Sequence, residues 1–170
     1  METNIKTKKV DKGTILLHQG DFCKYGYKVI SGCLKSYIID KTGKEHILQF
    51  APEKWFISDL KSIIEKIPST IFIEAVENSE LELLHSEDFG QLDYLSKDEL
   101  LQQNKSLFKN ILASNQRIKL LLASTAEERY LDFIDTYPTL LQRLSLKLIA
   151  SYLGMTPEYL SDVRKKIAQK

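Results

Sequence analysis

Between Leu144 and Gln169 the chain reads LSLKLIASYLGMTPEYLSDVRKKIAQ, and few folds accept this stretch. Leu148, Ile149 and Leu153 give a first short helix an apolar face. Gly154 can take φ > 0 at little cost and suits a tight turn. Thr156 is a good N-cap, and Pro157 fits a first helical position, where no backbone N–H is needed. Leu160, Val163 and Ile167 then recur at i, i+3 and i+7, the apolar stripe of a second helix. Two helices over so short a turn form either an αα-hairpin closing a core or a helix-turn-helix. Charge favours the second. Residues 138–170 hold six Lys and Arg against two Asp and Glu, a balance of +4 in a chain of +1, so residues 1–137 carry −3. A basic end on a slightly acidic body is the electrostatic footprint expected of a nucleic-acid-binding module attached to another domain.

Upstream the pattern has a different period. Residues 1–12 read as a polar lead-in. From Gly13 short apolar and β-branched runs follow one another: Thr14–His18, Tyr25–Ile30, Cys33–Asp40, Glu45–Phe50, Ile71–Val76 and Leu81–His85. Turn signals separate them, among them Gln19-Gly20-Asp21, Ser31-Gly32 and Lys41-Thr42-Gly43-Lys44. Such spacing predicts an antiparallel β-sandwich or barrel. From Asp98 to Ala123 the period becomes helical. Asn104, Phe108, Ile111, Asn115, Ile118 and Leu122 fall at alternating 4–3 spacing, a heptad seam with no partner helix of equal length in the chain. The expectation is a parallel pairing with a second copy, in which polar seam residues fix register and two-strandedness. Glu127–Tyr137 is a further amphipathic helix, stopped at Pro138. The predicted organisation is a β-domain over residues 1–97, a dimerisation helix over 98–125 and a helix-turn-helix domain over 126–170.

The order of these elements resembles the Crp/Fnr family of transcription regulators. The likeness rests on Gly13-Thr14-Ile15-Leu16-Leu17-His18-Gln19-Gly20-Asp21, on Val29-Ile30-Ser31-Gly32 with Leu34-Lys35, on Asp40-Lys41-Thr42-Gly43-Lys44-Glu45, and on Phe56-Ile57-Ser58-Asp59-Leu60. Ala126-Glu127-Glu128-Arg129-Tyr130-Leu131 and residues 149–158 are similar to a short Bacteroidetes-type branch. The resemblance implies an α+β fold. A cyclic-nucleotide-binding-like jelly roll comes first, then a long dimerisation helix, then a C-terminal helix-turn-helix. It also implies a homodimer on double-stranded DNA, with RNA polymerase and a small-molecule effector as further partners. The family's phosphate-binding cassette falls on Ser58, Asp59 and Leu60, with Ser69 and Thr70 where nucleotide-binding members carry Arg-Ser or Arg-Thr. An Arg there gives bidentate, charge-assisted bonds to phosphate. Ser69 can give one neutral bond, so tight cAMP or cGMP binding is not expected. Any remaining pocket would be lined by Trp55, Phe56, Ser58, Asp59, Leu60, Ser69, Thr70, Ser114 and Asn115. On the recognition helix Thr156, Glu158, Tyr159, Ser161 and Asp162 are base-edge candidates, and Lys147, Arg164, Lys165 and Lys166 phosphate candidates. Pro157 and Asp162 stand where such readers usually carry arginine, which points to a different operator.

Composition narrows the alternatives. No run of about 18 apolar residues occurs, so no membrane partner is expected. The first residues lack an apolar core for a signal peptide, and the expected compartment is the cytoplasm. Two cysteines, Cys23 and Cys33, exclude a four-thiolate cluster on one chain, and no cofactor is expected. His18, His46 and His85 lie far apart without metal-ligand spacing, and no P-loop, G-x-S-x-G or G-x-G-x-x-G occurs, so an enzyme is not expected. The competing reading is a degenerate dimeric sensor that keeps the fold but acts through protein contacts; Asp162 and a pI of 7.7 motivate it.

Overall fold

The computed structural model describes residues 6–88 and 97–169. Among the described residues eight strands come first: β1 Lys6–Val10, β2 Ile15–Leu17, β3 Tyr25–Ser31, β4 Leu34–Ile39, β5 Glu45–Ala51, β6 Phe56–Ile57, β7 Phe72–Ala75 and β8 Ser79–His85. A short helix, α1 Leu60–Glu65, interrupts them after β6. Four helices follow: α2 Lys97–Ala123, α3 Ala126–Thr136, α4 Leu146–Leu153 and α5 Pro157–Ala168. The strands form two four-stranded sheets ordered β1-β8-β3-β6 and β2-β7-β4-β5, with antiparallel pairing.

The polar lead-in expected over residues 1–12 is corrected here, since Lys6–Val10 pairs with β8 from Lys6↔Leu83 to Val10↔Ser79. Its lysines hid it from a hydrophobicity reading. Lysine is common on outer strands, where charge discourages pairing with foreign edges. β6 and α1 were also not anticipated, because two residues and six residues are too short to show a period. Gly32 makes the β3–β4 turn possible. It has φ 89°, and a Cβ there would come within 2.6 Å of the Asn78 carbonyl and 2.3 Å of Ser79 Oγ.

The chain condenses into two units. The first comprises residues 1–38 and 48–110, and the second residues 39–47 and 111–170. The first is built on Val29, Cys33, Leu34, Phe50, Ile57, Ile73, Ala75 and Leu81, all nearly inaccessible. Lys35 is also buried there, paired to Glu74 at 3.3 Å with its ammonium 4.3 Å from the Tyr37 ring centre. The second unit packs Tyr130, Phe133, Tyr137, Leu140, Ile149, Tyr152, Leu153, Leu160 and Val163. Its tip of the β4–β5 hairpin is closed by Asp40, which accepts from the amides of Thr42 and Lys44 and meets His46 Nε2 at 2.6 Å. No described helix is long and apolar enough to cross a membrane.

Candidate nucleic-acid interface

α4 begins at Ser145, whose hydroxyl accepts from the Leu148 amide, and ends at Gly154 in the left-handed region at φ 68°. The amides of Gly154 and Met155 return to the Ala150 carbonyl, closing the end of the helix. Thr156 then caps α5 by accepting from the Tyr159 amide at 3.2 Å, and Pro157 is the first residue of that helix. Two helices joined through this turn are the helix-turn-helix that the spacing predicts. α5 buries Leu160 and Val163 and exposes Thr156, Glu158, Tyr159, Asp162, Arg164, Lys165 and Lys166, with Ser161 half-buried. Tyr159 is 54% exposed, unlike the buried Tyr130, Tyr137 and Tyr152 of the same unit. Lys147 stands exposed on α4.

The late basic residues differ from one another. Lys166 Nζ is ion-paired to Glu127 Oε1, which joins the last turn of α5 to the first turn of α3 and raises the lysine's pKa. Lys165 reaches Asp162 at 3.8 Å, one turn back on the same exposed face. The sequence treated these lysines as equivalent phosphate candidates. The fold gives Lys166 a carboxylate partner from a helix more than thirty residues away.

In the first unit the cassette residues turn towards each other. Asp59 caps α1, accepting from the Ser62 amide at 3.1 Å, and its second oxygen accepts from Ser69 Oγ at 2.8 Å. Ser69 Oγ also accepts from the Ile71 amide, and Ser62 Oγ takes the Cys23 amide and donates to the Ile67 carbonyl. Asp59, Ser62 and Ser69 are all buried, Ser58 is half-buried, and Thr70 and Leu60 are exposed. Trp55 and Phe56 are core residues. The Phe56 carbonyl accepts from Gln49 Nε2 at 3.0 Å and Asn110 Nδ2 at 2.7 Å, and Lys109 Nζ lies 4.3 Å from the Trp55 ring centre. From α2, Asn110 thus meets β6 and Lys109 meets the preceding Trp55. Ser114 and Asn115, expected to line a pocket, are exposed. Asn115 lies five residues beyond Asn110, about 140° further round the helix.

A cyclic nucleotide-binding domain profile matches residues 7–93, the β-rich half of the chain. The chain belongs to the cyclic nucleotide-binding domain family. The anaerobic regulatory protein of Aggregatibacter actinomycetemcomitans is 31% identical over 173 residues, covering 92% of this chain and 64% of that protein. The chain thus spans somewhat under two thirds of that relative's length. Solved structures agree on the fold. FixK2 from Bradyrhizobium japonicum superposes with a TM-score of 0.77 at 17% identity, covering 97% of this chain and 85% of that one. A CRP/FNR-family transcriptional regulator from Thermus thermophilus gives 0.71 at 17% identity, covering 96% and 86%.

The long helix α2 carries a second informative face. Asn104, Phe108, Ile111, Asn115, Ile118 and Leu122 are all exposed on α2, Phe108 at 63% and Leu122 at 82%. Ser106, Asn110, Ala113, Arg117 and Leu120 form the other stripe and are partly buried. Arg117 was missed in the sequence. It is a cation in the inward stripe, and 106, 110, 113, 117, 120 repeats the helical spacing of the outward seam. That mismatch between residue type and position is the signal that could have found it. Its guanidinium reaches the carbonyls of Ile47 and Tyr152, and burial lowers its pKa. Among the described residues no group of three His, Cys, Asp or Glu is placed to hold a metal ion.

Proposed function

We propose that the protein is a homodimeric, sequence-specific DNA-binding transcription regulator whose sensor domain does not use cAMP or cGMP. The observation that carries the reading is α5. It is a capped helix with its apolar side buried and an unbroken outer side of Glu158, Tyr159, Asp162, Arg164 and Lys165 turned to solvent. Such a helix fits the major groove, where Glu158 can accept from cytosine N4 and Arg164 can meet a phosphate. The seam of α2 supports a second copy. Exposed Phe108, Ile111, Ile118 and Leu122 on one helical face are costly in a monomer. A two-fold pair would set two recognition helices about 34 Å apart, the repeat of the major groove.

The cassette supports the negative half of the reading. The group that stands where a phosphate-binding arginine would be is Ser69, whose hydroxyl faces two acceptors, Asp59 Oδ2 at 2.8 Å and the Ile71 carbonyl at 3.0 Å. A nucleotide phosphate would therefore meet a carboxylate in place of that arginine, an arrangement that favours exclusion of anions. The expected results are a concentration-independent dimer at micromolar protein by light scattering and a salt-sensitive shift of DNA from upstream of its own gene. Titration calorimetry with cAMP should show no heat. A monomer in scattering, or micromolar cAMP binding, would overturn the corresponding half. RNA polymerase and an unidentified effector complete the proposed partners, and the cytoplasm is the proposed compartment. A specific observation keeps the interaction-only reading in view: Asp162 sits among the exposed residues of α5, where it repels phosphates. Failure to retain any duplex in the shift assay would favour it.

A further inference from the structure

Among the described residues β5 stands at the end of its sheet, beside β4. In an antiparallel strand the groups of residues i and i+2 point to the same side. Glu45 and Ile47 are such a pair. Their groups are met by side chains from two helices. Ser151 of α4 donates its hydroxyl to the Glu45 carbonyl at 2.9 Å and accepts from the Ile47 amide at 3.3 Å. Arg117 of α2 donates Nη2 to the Ile47 carbonyl at 2.6 Å.

The same guanidinium closes a second set of open groups. The last four carbonyls of a helix have no partner within it. In α4 the Ala150 and Ser151 carbonyls are taken by the amides after the helix, whereas Tyr152 O is taken by Arg117, through Nε at 3.2 Å and Nη2 at 2.8 Å. The guanidinium carbon lies 4.2 Å from the Tyr152 ring centre. That ring packs on Phe133 and Tyr137, at 5.7 Å from each, so the clamp ends in the core of the helical unit. One planar cation thus ties strand edge, long helix and the first helix of the helix-turn-helix together. α5 follows α4 after the Gly154 turn, with Leu121 Cδ2 of α2 3.2 Å from where a Cβ on that glycine would stand.

We propose that Arg117, with Ser151, is a positioning clamp for the recognition helix: it fixes α4 to the β5 edge and to α2, and so sets the angle at which α5 is presented. The proposal rests on the DNA-binding reading for its consequence, but not for its geometry. Arg117 is itself turned inward, so it is not a phosphate contact. Lysine would be a poor substitute, because a single ammonium cannot hold two carbonyls in one plane and stack on the ring.

The test uses the full-length protein, Arg117→Lys, Arg117→Gln and Ser151→Ala, and duplexes of about 30 base pairs recovered from a random-sequence pool by the unaltered protein, long enough for two half-sites. Two quantities are read: duplex affinity as a function of salt, and amide exchange at Ile47. Each variant should bind about tenfold more weakly, the scale of a positioning contact, with the slope of log affinity against log salt unchanged. Exchange at Ile47 should quicken about tenfold. Combining Arg117→Lys with Ser151→Ala should cost less than the two single effects multiplied, since both hold one edge. A slope reduced by about one would make Arg117 a phosphate ligand and overturn the proposal. Unchanged affinity with faster exchange would leave the clamp purely structural and also overturn it, as would unchanged exchange. If no duplex is recovered, the DNA reading fails and the positioning role with it, whereas the exchange measurement still decides whether the clamp exists. Should Arg117→Gln not fold, Arg117→Lys and Ser151→Ala carry the test.

Discussion

Asp59 and Glu158 are both carboxylates at the start of a helix, and the two ends of the chain use them in opposite ways. Asp59 is the N-cap of α1, 9% exposed, and spends both oxygens on Ser62 and Ser69. Glu158 is in the first turn of α5, where Thr156 does the capping, so its carboxylate remains in solvent. The β-domain has turned its polar groups inward and satisfied them. The helix-turn-helix has given the capping of α5 to Thr156 and left the Glu158 carboxylate outward. A site that binds charge needs groups whose hydrogen bonds are still to be made. By that criterion α5 is equipped for a ligand and the cassette is largely spent on itself.

The contrast can be broken at several places, in descending order of effect. Asp59→Ala removes a cap and a charged acceptor from a buried network, leaving the Ser69 hydroxyl to the Ile71 backbone. Urea denaturation should show a loss of about 3 kcal/mol, whereas Glu158→Ala at the other end should stay within about 0.5 kcal/mol. If both cost the same, the two carboxylates are not differently used. Gly154→Ala forces an L-residue into the left-handed region with Leu121 close by, and should cost about 1–2 kcal/mol by the same measurement. Arg164→Ala should lower duplex affinity and reduce the salt slope by about one. Lys166→Ala should leave that slope nearly unchanged, because its charge already meets Glu127. Equal slopes for the two variants would contradict the division drawn on α5.

The smallest effect is one of pH. Thr125, through its amide first and its hydroxyl second, holds the Glu128 carboxyl below the ordinary range, and Thr42 then His46 do the same for Asp40. A carboxyl depressed in the folded state adds stability that is present above its unfolded value and is lost as pH falls through the folded one. Carboxyl carbon NMR should therefore place both midpoints below that of a freely exposed carboxylate. Thermal unfolding should drop mildly in acid, with no matching loss between pH 6 and 8 from these groups.

Much of the helical half was legible in the residues. Gly154, Thr156 and Pro157 act on their own neighbours within one turn, and the 4–3 spacing from Asn104 to Leu122 is a property of one helix, so local rules suffice. The β-domain was legible where hydrophobic alternation was clean. It was missed at Lys6–Val10, where pairing with β8 outweighs a lysine-rich composition, and at β6 and α1, which are too short for a period. The positions of the site residues were less accessible still. That Ser69 meets Asp59, ten residues away, could be suspected from the family motif, but its direction could not. That Lys166 is held by Glu127, that Asn110 rather than Asn115 reaches β6, and that Arg117 spans Ile47 and Tyr152 depend on where separate elements lie in space. A sequence carries its own periodicities and caps because these are interactions along the chain. Which donor finds which distant carbonyl is settled only when packing brings them within about 3 Å, and the tertiary structure alone made that choice.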